Sequence, residues 1–386
     1  MRRLIAILLL AAALAACSSL PSMNPLDWFS SKPTGPKPAE LPSLTNPQGV
    51  RVMWSSSIGG SEQFILSPAL YGENIYAASR NGTVVSLDAT SGQARWRVPV
   101  GARISGGVGT DGTLVAVASD EGEVIALEAQ TGVVRWRSRV SSEVLAAPKV
   151  GEGLVLVRSA DSRIFAFGAE DGKRRWVYQR AAASLIVRSP AGLTLHQGAA
   201  YAGFSGGKLV SISLSNGAAR WEATVALPKG ATELERVTDI VGDPTALGRE
   251  VCAAAYQGRV ACYEIQNGSQ LWARDMSSLT GVSFDARYAF VSDDKGSVHA
   301  LDRSSGRSIW KQDRLSHRLL SLPLPLGTEV ALGDLQGYVH FLARESGAFI
   351  ARIGTDGSAI RAAPLKLTDG FVVQTQGGGL YALNLR

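Results

Sequence analysis

The chain has 386 residues, 45% of them hydrophobic, with 42 glycines and a formal net charge of +6. That length is enough for a large core, and the 39 lysines and arginines are scattered rather than gathered into a stretch that would track a phosphate backbone, so the pattern argues against nucleic acid. Three cysteines and four histidines (His196, His299, His317 and His340) show no metal-ligand spacing with carboxylates or one another.

In chain order, the N-terminus reads MRRLIAILLLAAALAACSS. Arg2 and Arg3 precede an apolar run from Leu4 to Ala13, too short to cross ~30 Å of hydrocarbon, which is the pattern of a secretory signal peptide over residues 1–16. Small residues at Ala15 and Ala16 followed at once by Cys17 resemble the lipobox of bacterial lipoproteins, which implies a lipidated Cys17 at the head of the mature chain. Ser18, not being aspartate, implies an outer-membrane address. Residues 17–50 carry Pro21, Pro25, Pro33, Pro36, Pro38, Pro42 and Pro47 among polar residues, a composition that predicts a semi-extended tether.

From residue 51 to 386 one motif recurs: an apolar residue, an acidic or small one, a Ser/Thr/Asn/Asp–Gly pair and, four positions after the glycine, a tryptophan. The copies are LDATSGQARW ending at Trp96, LEAQTGVVRW at Trp136, FGAEDGKRRW at Trp176, ISLSNGAARW at Trp221, YEIQNGSQLW at Trp272 and LDRSSGRSIW at Trp310. A seventh, LARESGAFIA, has Ala351 in place of the tryptophan, and an eighth stops at LNLR. Asp88 or its equivalent can accept backbone N–H groups at the turn, and the glycine supplies the positive φ that closes it. A second hairpin precedes each copy, as in ASRNGTVVSL and SDDKGSVHAL, so each unit of about 42 residues holds four short antiparallel strands.

This pattern predicts an all-β fold, an eight-bladed β-propeller of four-stranded antiparallel blades, or seven blades if the weakest copy is not one. Trp54, Trp96, Trp136, Trp176, Trp221, Trp272 and Trp310 are expected to pack each blade on its neighbour. The last copy lacks an outer strand while RVMWSSSIG (51–59) has one to spare, so the N-terminal strand is expected to close the ring. Cys252 and Cys262 flank a hairpin. They read either as a cross-strand disulfide or, for Cys262, as a small core residue at the position held elsewhere by Ser86, Ala126, Ala166, Ser211 and Ala300.

Two enzyme-like strings carry no chemistry in this reading. Gly203–Phe204–Ser205–Gly206–Gly207 has the letters of a nucleophile elbow but falls at a hairpin, and the Gly107–Gly112 stretch has those of a dinucleotide fingerprint with no helix to follow. The excess length of the repeat lies between Trp176 and Trp272, in the segments 181–192 and 231–244. Long loops on a rigid scaffold are where partners usually bind.

The repeat resembles that of the pyrroloquinoline quinone dehydrogenases, which implies the fold, although the vicinal cysteines of those enzymes are missing here. Lipobox, proline-rich tether and eight such repeats together resemble the BamB family, lipoproteins of the bacterial outer-membrane β-barrel assembly complex. That resemblance implies a non-enzymatic scaffold without cofactor or metal, on the periplasmic face of the outer membrane. Its implied partners are a periplasmic domain of the barrel subunit BamA, other subunits of the complex and nascent outer-membrane proteins. The alternatives are a quinone-dependent enzyme or a different periplasmic interaction propeller. Residue by residue, Leu185, Val187 and Arg188 match the family's docking patch and Asp239 its first aspartate. At the second acidic position this chain has Val241, with Asp243 two residues on.

Overall fold

A computed structural model describes residues 36–181 and 185–386. The signal peptide, Cys17 and the tether up to residue 35 lie outside the described residues. The chain divides after Lys37, and the fold below is that of Pro38–Arg386.

Eight sheets of four antiparallel strands follow one another in sequence, and no helix occurs among the described residues. Blade 1 is built from Ala69–Tyr71, Asn74–Ala78, Thr83–Asp88 and Ala94–Pro99, and blades 2 to 7 repeat that order. Blade 8 takes Leu365–Lys366, Phe371–Gln374 and Gly379–Leu385, and its fourth strand is Val50–Ser57 from the other end of the chain, in register from Val50 opposite Leu385 to Ser57 opposite Gly379. The ring is therefore eight-bladed and closed by the N-terminal strand.

The burial pattern explains why the middle strands read as unbroken apolar runs. A blade is sandwiched between two neighbours, so a second strand such as Leu114–Ser119 is buried on both faces, whereas an outer strand such as Ala94–Pro99 alternates. The core is accordingly not one body but eight clusters, each shared by adjacent blades; Tyr76 and Val84 of blade 1, for example, meet Val117 and Ile125 of blade 2. The first strands surround a central cavity of about 600 Å³.

The turn and the tryptophan of the repeat are halves of one contact. Each indole lies on the turn glycine of the next blade: Trp54 on Gly92, Trp96 on Gly132, Trp136 on Gly172, Trp176 on Gly217, Trp221 on Gly268, Trp272 on Gly306 and Trp310 on Gly347. A Cβ on any of these glycines would fall 2.5–2.8 Å from the ring, and all seven have positive φ. The indole Nε1 also donates to a carbonyl of that turn, from Trp54 to Ala89 at 2.9 Å through Trp310 to Arg344 at 2.8 Å. Asp88 holds its turn from within, accepting from the N–H of Thr90 at 3.1 Å and of Ser91 at 2.8 Å. Opposite each tryptophan in its own sheet stands a small residue, as in Ser86 with Trp96 and Ala126 with Trp136. Cys262 stands in this position opposite Trp272 and is also disulfide-bonded to Cys252, so both readings of that pair apply to it.

Blade 7 inverts the size pairing. Ala351 replaces the tryptophan and Phe341 faces it. The reason is topological: the next blade has no turn between its third and fourth strands, because the chain ends at one and starts at the other. The N-terminal segment fills the place. Gln48 N–H donates to Ile350 O at 2.9 Å, Arg352 Nη2 to Pro42 O at 2.6 Å, and Arg318 Nη1 to Ala39 O at 2.7 Å. The propeller unit thus begins at Pro38, with residues 38–49 laid along blade 7 rather than free.

Behind this segment sits a buried charged knot. Arg318 Nε donates to Asp334 Oδ2 at 2.7 Å, and His340 Nε2 lies 2.9 Å from the same oxygen, with all three residues buried. Burial holds the His340 imidazole below its usual value, while Asp334 acts the other way and Arg352 and Arg318 add to the lowering.

Two outcomes are expected. Gly172→Ala and Trp136→Ala should each lower the unfolding free energy, the second by about 3–5 kcal/mol as for other buried aromatic truncations, and urea melts check both. An unfolded histidine titrates near ~6.5 while folded His340 resists its proton, so stability is full above that pH and falls below it, by at most about 1.4 kcal/mol per pH unit. Urea midpoints between pH 7.5 and 5.5 should show this slope, and His340→Gln should flatten it.

Candidate docking face

Connections between blades vary in length, from the four residues between Pro99 and Ile104 upwards, and the two longest are consecutive. These are residues 180–192, leading into blade 4, and residues 225–239, leading into blade 5. Both lie on the face that carries the hairpins between second and third strands, and they meet there. Asp239 is the clasp. It is buried, its Oδ2 accepts the Val187 N–H at 2.6 Å, and its Oδ1 accepts the Gly206 N–H at 3.3 Å. Burial raises the Asp239 carboxyl above the ordinary range, and these two N–H groups with Arg158 oppose the shift.

Arg188 pairs with Glu143 and not with Asp239. Its guanidinium forks onto Glu143, Nη2 to Oε2 at 2.8 Å and Nε to Oε1 at 3.3 Å, and lies 5.5 Å from the centre of the Phe64 ring. Asp239 therefore orients the backbone of the loop, and Glu143, from the connection between blades 2 and 3, orients the arginine. The arginine remains half exposed. Leu185 is exposed, but its partner on the surface is Ile186, at 40% exposure, while Val187 is half-buried beside the clasp.

The acidic positions resolve as follows. Val241 is in the core at 1% exposure. Asp243 lines the central cavity, where it pairs with Lys149 Nζ at 2.5 Å and accepts the Gly192 N–H at 2.9 Å. It fastens the far end of the 180–192 loop from beneath instead of facing outwards.

The second loop folds on itself. Glu235 Oε2 accepts the N–H groups of Ala231 at 2.8 Å and Thr232 at 3.1 Å, and Arg236 Nε donates to Gly230 O at 3.0 Å. This turn leaves Leu234 at 70% and Leu227 at 65% exposure, the two most exposed large apolar side chains among the described residues. Between Leu185 and this loop runs a groove of about 290 Å³. Sequence reading passed over Leu227, Leu234, Ile186 and Glu143. The signal for Leu234 was present, since a lone leucine between Glu233 and Glu235 in a polar insertion has no core to enter; Leu227, at the end of the apolar run from Val225, and Glu143 carried none.

The enzyme-like strings take ordinary places. Ser205 forms a lone bridge to Asp239 at the blade 4 hairpin, and His196 lies on the blade's other end against Gly248 O. Residues 104–110 are a strand, Ile104–Thr110, ending in a turn. His299 and His340 each face the aspartate six residues upstream, Asp293 and Asp334. Among the described residues no three metal-ligating side chains converge.

Known proteins match most of this chain. A family model described as outer membrane protein assembly factor BamB matches residues 46–312. The protein of that name from Pseudomonas aeruginosa is 44% identical over 99% of this chain and 98% of its own, and that from Bordetella pertussis 43% identical over 94% of each. Among solved structures, BamB from Moraxella catarrhalis superposes with a TM-score of 0.80 at 27% identity, over 87% of this chain and all of its own. Quinohemoprotein alcohol dehydrogenase from Comamonas testosteroni superposes with a TM-score of 0.70 at 14% identity, a likeness of fold alone. The extent and identity of these matches show that the chain belongs to the family of outer membrane protein assembly factor BamB.

Proposed function

We propose that this protein is a non-enzymatic scaffold of the machinery that assembles outer-membrane β-barrels, anchored by lipid on Cys17 to the periplasmic face of the outer membrane. Its docking surface is the face built by residues 180–192 and 225–239, and its partner there is a periplasmic domain of the barrel subunit BamA. The other subunits of the complex and incoming outer-membrane chains are further partners of the same machinery.

The observation that carries this reading is the union of Leu185, Ile186, Leu227 and Leu234, all exposed, with a guanidinium held in place by Glu143. Aliphatic anchors beside an oriented arginine are the composition of interface hot spots. Two carboxylates, the buried Asp239 and the half-exposed Asp243, fix the loop backbone before any partner arrives, which lowers the ordering cost of association. The reading as a scaffold without chemistry is supported by the names of relatives that match over nearly the full chain, which are assembly factors, whereas the likeness to dehydrogenases extends to the fold only.

The test is detergent co-purification of the tagged lipoprotein from its own membranes. Arg188→Glu should lose the barrel subunit, since reversing an interfacial charge costs about 2–5 kcal/mol. Arg188→Glu combined with Glu143→Arg rebuilds the internal pair and should still not recover the partner. Recovery by the double variant would mean that Arg188 only shapes the loop; retention of the partner by the single variant would remove this face from the interface.

A further inference from the structure

Beneath the 186–189 segment lies a cavity of about 240 Å³, walled by blades 3 and 4 and roofed by the clasped loop. At about 30 Å³ per water it holds roughly eight, or one side chain of a partner with room to spare. Its most telling occupant is Arg158, at the end of the second strand of blade 3, Leu154–Ser159.

Strand positions facing an inter-blade seam are normally apolar, and an arginine there loses water for its charge. Burial pushes the guanidinium down to about 10, with Asp239 and Asp243 pulling the other way, so it stays cationic at neutral pH. Of its five N–H donors, the one hydrogen bond among the described residues is from Nη1 to Ala191 O at 3.0 Å, and its flat face lies 5.1 Å from the Phe204 ring centre. No carboxylate among the described residues forms an ion pair with it: Asp239 turns its oxygens to the N–H groups of Val187 and Gly206, and Asp243 turns to Lys149 and Gly192. At the mouth, Arg188 and Glu143 neutralise each other. The cavity wall adds the hydroxyl-bearing residues Ser162, Ser189 and Ser205. The cavity therefore contains a half-buried, recessed cation with unused donors in a fork geometry suited to a carboxylate.

We propose that this cavity is a carboxylate-binding site, and that the docking partner inserts an acidic side chain past Ile186 and Arg188 to meet the Arg158 guanidinium. The inference deepens the docking reading given above and rests on it for the identity of the partner. It assigns the specificity of the face to a recessed charge rather than to the exposed leucines, which any apolar chain would satisfy.

Two measurements on the full lipoprotein in detergent separate the site from the partner. Calorimetric titration with N-acetyl-aspartyl-amide and its asparaginyl counterpart should show the aspartyl compound bound about tenfold or more tightly. Arg158→Gln should abolish that preference and Arg158→Lys retain most of it. Equal binding of the two compounds by wild type, or an undiminished preference in Arg158→Gln, overturns the site. In co-purification, Arg158→Gln should lose the barrel subunit that wild type captures; full retention would overturn the inserted acidic side chain. Capture of no barrel subunit by wild type would sink the assembly reading and the identity of the inserting chain, while the titration, which needs no partner, decides the cavity by itself.

Discussion

Everything in this molecule depends on an indole lying flat on a glycine. A propeller blade is a sheet with two apolar faces and cannot be stable alone, so the ring exists only as far as each blade is locked to the next. The lock here has three parts. Glycine at positive φ leaves bare backbone for the ring to cover, the indole buries on the order of 150–250 Å² there, and its N–H finds a carbonyl of the same turn. One residue of the repeat closes a turn in its own blade and receives the tryptophan of the blade before it, which is why turn and tryptophan recur together.

The break in the pattern follows from the same constraint. The ring has seven such locks for eight blades, because blade 8 pairs Gly379–Leu385 with Val50–Ser57 and has no turn between these two strands. Ala351 and Phe341 trade sizes there, and residues 38–49 cover the seam through carbonyls taken by Arg318 and Arg352. The closing strand and the strap preceding it leave the strongest irregularity of the fold far along the chain from the two long connections. Those loops hang from blades 3, 4 and 5, where the locks are complete, and carboxylates at their roots hold them in one conformation. A rigid ring makes an irregular surface reproducible.

The repeat made most of the fold legible in the sequence. Period, hairpin pairs, seven tryptophans and a spare first strand lead to eight blades and to the closing pair of strands, because each is a local signal multiplied by eight. The site was legible only in outline. Loop length pointed to the two segments and the family resemblance to Leu185, Val187, Arg188 and Asp239, but the contacts these residues make within the chain were not readable. Asp239 bonds a backbone N–H fifty-two residues away, and Arg188 a glutamate forty-five residues away. Neither contact requires a pattern at either end. The segment 185–188 is irregular, so the alternation of a strand does not apply there: Leu185 and Ile186 are both exposed and Val187 is half-buried. The fastening of residues 38–49 to blade 7 uses backbone carbonyls, which composition does not report.

The central claim is that this face meets the assembly machinery in the cell. The direct test is site-specific photo-crosslinking in living cells, with the reactive group placed in turn at Leu234 and Ile186 on the face and at Tyr71, an exposed position on the hairpin between the first two strands of blade 1. The account predicts adducts with a barrel-forming outer-membrane protein from the first two positions and none from Tyr71. Adducts from Tyr71 with none from Leu234 or Ile186 would contradict it.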